Sequence, residues 1–173
     1  LDAHGNNAVI NVVAEGEGNN TLSVVDDSNN TQQSIDVDFA GDNNVVDVET
    51  NTEVANVTFG GENGMVVIEQ ATTVNVTAEG GHNTIDLYGE NLSVEAGGSN
   101  NNVLLNGTYD REANIDNGAL INIAFTGEGS NSITLGHPAE DGRDTGVTAL
   151  EGSSISGSDV RLTVLEESDL RAA

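Results

Sequence analysis

The chain has 173 residues, enough for one domain of ordinary size, and carries 29 acidic residues against four arginines, a formal charge of −25. Nucleic acid and anionic membrane surfaces are excluded as partners, because both are held by basic side chains; cations are the partners that this balance favours. There is no cysteine to staple the fold, and no apolar run approaches the roughly 18 residues that a membrane-spanning helix needs.

Apolar residues make up 36% of the chain but aromatics only 3%, with no Trp. That balance predicts a thin core of small and β-branched side chains. The 23 Asn and 21 Gly predict many tight turns of the kind that accept positive φ. The first residue, Leu1, follows no basic or apolar leader within the chain, and the sequence reads as the processed part of a secreted precursor.

One pattern then recurs along the chain: three alternating apolar residues, a Gly/Asn turn, and two more alternating apolar residues. Ile10, Val12 and Ala14 lead through Gly16–Asn20 to Leu22 and Val24, and an insertion over 26–33 follows. Ile35, Val37 and Phe39 lead through Gly41–Asn44 to Val46 and Val48. Ala55, Val57 and Phe59 then lead through Gly60–Gly64 to Val66 and Ile68. Val74, Val76 and Ala78 lead through Gly80–Asn83 to Ile85 and Leu87, and Leu92, Val94 and Ala96 lead through Gly97–Asn101 to Val103 and Leu105. After a second insertion over 107–117, Ile121, Ile123 and Phe125 lead through Gly127–Asn131 to Ile133 and Leu135. Beyond that the pattern fades into a loop over 136–146 with the single proline, Pro138, a serine-rich linker over 153–158, a further strand at Val160–Val164 and a polar tail.

Alternation at period two predicts strands with the apolar set facing inward. The spacings Asn44 to Gly64, Gly64 to Asn83 and Asn83 to Asn101 are 20, 19 and 18 residues, room for two short strands and two turns. Such an arch cannot bury its apolar face alone, but stacked copies can. The fold class expected is therefore all-β: a parallel β-solenoid of about six two-strand β-arch coils over residues 1–135, with 136–173 as loop, extra strand and tail. Two columns support the register. The outward positions Asn11, Asp36, Asn56, Asn75, Ser93 and Asn122 are all polar, and Asn44, Asn83, Asn101 and Asn131 recur at the end of the turn. Stacked asparagines can hydrogen-bond along the axis as a ladder, and the turn column is expected to supply the left-handed residue of each arch.

At 74–87 (VNVTAEGGHNTIDL) and 34–48 (SIDVDFAGDNNVVDV) the chain resembles curlin-type repeats, in which strand, Gly-x-x-Asn turn and strand alternate. The likeness spans about residues 34–105, and Gln70 is the one glutamine placed where those repeats carry a pair. It implies a two-sheet solenoid that polymerises outside the cell into an amyloid-like fibre. Stacked-arch subunits of archaeal extracellular sheaths and fibres are a second likeness, suggested by acidity and glycosylation signals.

Those signals are Asn-x-Ser/Thr sequons at Asn19, Asn29, Asn56, Asn75, Asn91 and Asn106; Asn29 and Asn106, read as belonging to the corner insertions, are expected to be the most accessible. For a metal, Asp26, Asp27, Asp36, Asp38 and Asp47 crowd the second and third repeats, and Asp141 and Asp144 the late loop. Hard-oxygen donors of this kind suit Ca2+, while the plainer reading is a solvated acidic face. His4, His82 and His137 lie in separate segments and do not make a zinc pattern. No nucleophile stands beside a base, and enzyme activity is not expected. The function expected is a secreted structural protein that self-assembles, cation-screened and glycosylated, into a fibre, sheath or surface layer. The alternative is a solenoid adhesin or spike that binds a receptor or glycan.

Overall fold

The computed structural model describes residues 7–25, 31–106, 109–110, 115–116, 118–136, 147–165 and 169–170. All regular structure among them is β: β1 (Val9–Ala14), β2 (Thr21–Val25), β3 (Thr31–Phe39), β4 (Val45–Phe59), β5 (Met65–Ala78), β6 (Thr84–Ala96), β7 (Asn102–Asn106), β8 (Tyr109–Asp110), β9 (Ile115–Asp116), β10 (Leu120–Phe125), β11 (Asn131–Leu135), β12 (Thr148–Ala149), β13 (Ser154–Ser156), β14 (Val160–Val164) and β15 (Asp169–Leu170). Eleven of these strands form one open sheet with β1 and β14 at the ends of its path.

The pairing inside that sheet is parallel throughout. Before the turn, Val12, Val37, Val57, Val76, Val94, Ile123 and Ile155 stack in register. After it, Leu22, Val46, Val66, Ile85, Val103, Ile133 and Leu162 do the same. A one-residue slip would turn every apolar side chain outward, so burial on one face pins this register. Apart from Ile155 and Leu162, and with Val12 only partly buried, both sets enter a single core that also holds Phe39, Phe59, Leu87, Leu92 and Leu105. The Phe39 and Phe59 rings stack within it, with centroids 6.3 Å apart and planes 8° from parallel.

Strands β4, β5 and β6 each pass through the corner that joins one copy to the next. The ladder shifts register there, between Glu49 and Thr52 and between Ile68 and Ala71. Gln70 turns the second of these corners with a left-handed φ of 59°. At the other corner the turns themselves stack: the amide N–H groups of Asn19, Asn43, Asn63, His82 and Asn100 donate to carbonyls of the next turn at 2.6–3.1 Å. Those five residues also carry the positive φ, between 56° and 60°. The left-handed position therefore falls one residue before the asparagine column, because the column residues turn their side chains into the core. At Gly41 (φ 77°) adjacent turns approach so closely that a Cβ would collide with the backbone of Glu17.

Two segments differ from the sequence expectation. The serine-rich stretch contains β13, with Asn122, Ile123 and Ala124 in register with Ser154, Ile155 and Ser156. Together with β14, which lies on β11, it makes a seventh strand–turn–strand copy. The second insertion holds a short antiparallel pair, β8 with β9.

Candidate functional site: the asparagine ladders and the end of the sheet

Two lines of hydrogen-bonded side chains run along the stack. The inner line is buried. The Nδ2 group of Asn20 donates to Oδ1 of Asn44 (2.9 Å), Asn83 to Asn101 (3.1 Å) and Asn101 to Asn131 (3.1 Å). The backbone N–H of each donor residue shares the same acceptor oxygen, at 2.9–3.0 Å. The second Nδ2 hydrogen satisfies a carbonyl of the residue's own turn: Gly41 for Asn44 (2.7 Å), Gly80 for Asn83 (2.8 Å), Gly97 for Asn101 (2.6 Å). Each amide thus closes its own turn and ties it to the adjacent copy, which is what lets four asparagines sit in the core at 1–3% exposure.

The line is interrupted once. Gly64 occupies the asparagine position of the third copy, and its N–H donates to Asn83 Oδ1 (2.7 Å). A side chain there would begin 2.4 Å from the ring of Phe59, so the phenylalanine that stacks on Phe39 takes the room an asparagine would need.

The outer line runs with opposite polarity. Asn75 donates to Asn56 (2.9 Å) and Asn56 to Asp36 (2.6 Å), from later to earlier copies, and Ser154 donates likewise to Asn122 (3.0 Å). Asp36 also accepts from the Ser34 hydroxyl at 3.1 Å. As a carboxylate it can only accept, and charge-assisted bonds of this kind are the stronger ones; it is a fitting terminus for a row of donors.

This geometry sorts the candidate residues. Asp36 is engaged by the ladder, Asp38 lies two positions on along the same outward face, and Asp47 lies on the arm after the turn. Since both arms point their alternate apolar residues into one core, those outward faces look away from each other, and the three carboxylates are not gathered. Asp26, Asp27, Asp141 and Asp144 lie outside the described residues, as do His4, His137 and Asn29. Among the described residues no group of three or more His, Asp or Glu is arranged to hold a metal ion. His82 is in the fourth turn, its Nε2 3.2 Å from the Asn100 amide nitrogen.

Of the sequon asparagines, Asn19 is exposed in the first turn, and Asn91 is exposed at the start of an arm with a long contact to the Thr72 carbonyl (3.4 Å). Asn56 and Asn75 belong to the outer ladder. Asn106 corrects the expectation: it is fully buried at the end of β7, because the apolar stack draws in the last residue of the strand, and its Nδ2 donates to Asp86 (3.3 Å).

Sequence reasoning missed a carboxylate row near the continuous corners. Glu69 lies in register with Glu49, and its carboxyl is raised above the ordinary 4.5, first by partial burial and then by the charges of Glu49, Asp47 and Asp86. The alternation rule names inward residues only, so this outward crowding becomes visible once the register is known.

The seventh copy ends the described sheet. Its inward side chains Ile155, Leu162 and Val164 are 36, 40 and 41% exposed, whereas Ile123, Ile133 and Leu135 of the copy beneath are at 0–1%. Beside them lies a recess of about 230 Å³ lined by Ile121, Leu135, Ala149, Ser154, Ile155 and Leu162. At the opposite end Ile10 and Leu22 are 6% exposed and Val24 is at 0%, while Val12 and Ala14 are half-buried. Comparison with protein-family models, with curated proteins and with solved structures finds no match to this chain.

Proposed function

We propose that the protein is a structural subunit: a β-solenoid of two-strand arches, working outside the cell, that associates with copies of itself into a fibre, sheath or surface layer. The observation that carries this reading is the persistence of one register through seven successive copies, with polar ladders inside and outside it. A stack held this way repeats at about 4.8 Å per copy, and any end of it that is open offers backbone and apolar columns that suit another stack of the same kind. The likeness of residues 34–105 to curlin-type repeats supports the same reading, and the charge of −25 makes cations the natural screen between subunits. Asn19 and Asn91 are the sequon positions where a glycan would meet the least structure.

The test is imaging of the purified protein by negative stain with fibre diffraction, at low salt, high salt and millimolar calcium. Elongated assemblies with an axial reflection near 4.8 Å are the expected result. A monodisperse particle under all three conditions would refute the reading and leave the adhesin alternative, for which binding to cell-surface glycans is the next measurement.

A further inference from the structure

We propose that the Asn63–Gly64 pair is a latent site of covalent modification: deamidation through a cyclic imide, held in check by the side chain of Asn83. The proposal holds whether or not the molecule associates with copies of itself.

The site originates in the core. In the first, second, fourth and fifth turns the left-handed residue is followed by Asn20, Asn44, Asn83 or Asn101. In the third turn the Phe59 ring fills that space, and glycine follows instead. Asn63 is exposed, with φ 58°, and with Gly64 it makes the one Asn–Gly pair among the described residues. An asparagine followed by glycine is prone to deamidation, because no side chain shields the following nitrogen. That nitrogen gives up its proton to a base and attacks the Asn63 side-chain amide carbon. The new C–N bond closes a five-membered imide as the bond to the amide nitrogen breaks, and ammonia leaves. Water then opens the imide at either carbonyl, leaving aspartate or isoaspartate. One water is consumed and one ammonia released, with no oxidation or reduction.

The fold opposes the first step at its nucleophile. Gly64 is buried, and its N–H donates to Asn83 Oδ1 at 2.7 Å, which retains the proton that must leave. Asn83 is itself fixed by its Nδ2 bonds to Gly80 and Asn101. On either side, the Asn63 N–H donates to the Gly81 carbonyl (3.1 Å) and the Met65 N–H to the Asn44 carbonyl (2.8 Å), so the backbone is held against the swing that attack requires. Reaction therefore waits on opening of the joint between the third and fourth copies, and its rate follows the population of that opening. The product carries a new negative charge next to Glu62, whose N–H is bonded to Asp42. As isoaspartate it also adds a methylene to the backbone of a stacked turn. Conversion at residue 63 is thus a lasting record that this joint has opened.

The test incubates the full chain in mildly alkaline buffer, folded and, in parallel, unfolded in urea. Peptide mapping by mass spectrometry follows the change from amide to acid at residue 63. The expected rate in the folded protein is at least ten-fold below that in urea. Asn83→Ala should recover most of that difference while still folded. Asn131→Ala, which removes the same kind of acceptor two joints away, should keep the wild-type rate. Equal rates folded and unfolded would overturn the proposal, as would an Asn83→Ala variant no faster than Asn131→Ala. If Asn83→Ala loses its β signal in circular dichroism, hydrogen exchange on the wild-type protein decides. A Gly64 N–H that exchanges as fast as in the unfolded chain would then refute the latch, and a protected one would support it.

Discussion

An asparagine in a protein core destabilises it unless both ends of its amide find partners. Asn83 shows how the repeat meets that demand: its Nδ2 serves Gly80 and Asn101, and its Oδ1 receives the Gly64 N–H. Replacing it by alanine removes three bonds and leaves buried backbone groups on two turns unmatched. Asn83→Ala should therefore lower unfolding stability by about 1–3 kcal/mol, read as a reduced midpoint in urea. Asn75→Ala on the exposed outer line should cost less than about 0.5 kcal/mol, because water can take the place of the lost amide. A similar loss for both variants would show that the inner ladder adds nothing beyond a solvated hydrogen bond.

At the scale of the strand, alternation made the inward columns legible. Val37 to Ile123 and Val46 to Ile133 lie in the register their spacing implies, because only one register buries them. The seventh copy was hidden because Ser153–Ser158 looks like a linker by composition, and a strand there depends on a single inward residue, Ile155, with β10 beneath it. Of the proposed metal residues, Asp36, Asp38 and Asp47 are near in sequence but divided between the strands on either side of a turn, a distinction invisible until the strands are placed. Asn106 was misread because sequence alone does not say whether a corner or a strand owns it. The stacked carboxylates of Glu49 and Glu69 belong to this scale too. A glutamate whose folded value is raised favours folding most below its unfolded value and loses that contribution as pH rises through the folded one. Stability should thus increase as pH falls from neutrality toward the ordinary 4.5, followed by thermal unfolding across that window. Glu69→Gln should flatten this part of the profile relative to wild type, and an unchanged profile would mean that Glu69 is not the group responsible.

For the whole molecule, charge opposes the order that the strands impose. With −25 units on one chain, any contact between copies works against a repulsion that salt screens. Raising salt from tens of millimolar to about 0.5 M should therefore carry small assemblies into long ones, since repulsion at that ionic strength reaches only a few ångströms. Light scattering against ionic strength is the measurement. Growth equally rapid in salt-free buffer with chelator would show that repulsion does not limit assembly. The all-β class and the parallel sheet were readable from the repeat, but exposure at the ends of the sheet was not, because it depends on what lies over each end. The gap at Gly64 has a mechanical meaning as well. Every other inner joint flanked by asparagines carries a directed amide bond between copies, but between Asn44 and Gly64 there is no acceptor side chain, and the stacked rings of Phe39 and Phe59 fill the place. As a beam, the molecule is braced there from its outer side instead, where Asn56 reaches Asp36 and the Glu62 N–H reaches Asp42 across the same joint.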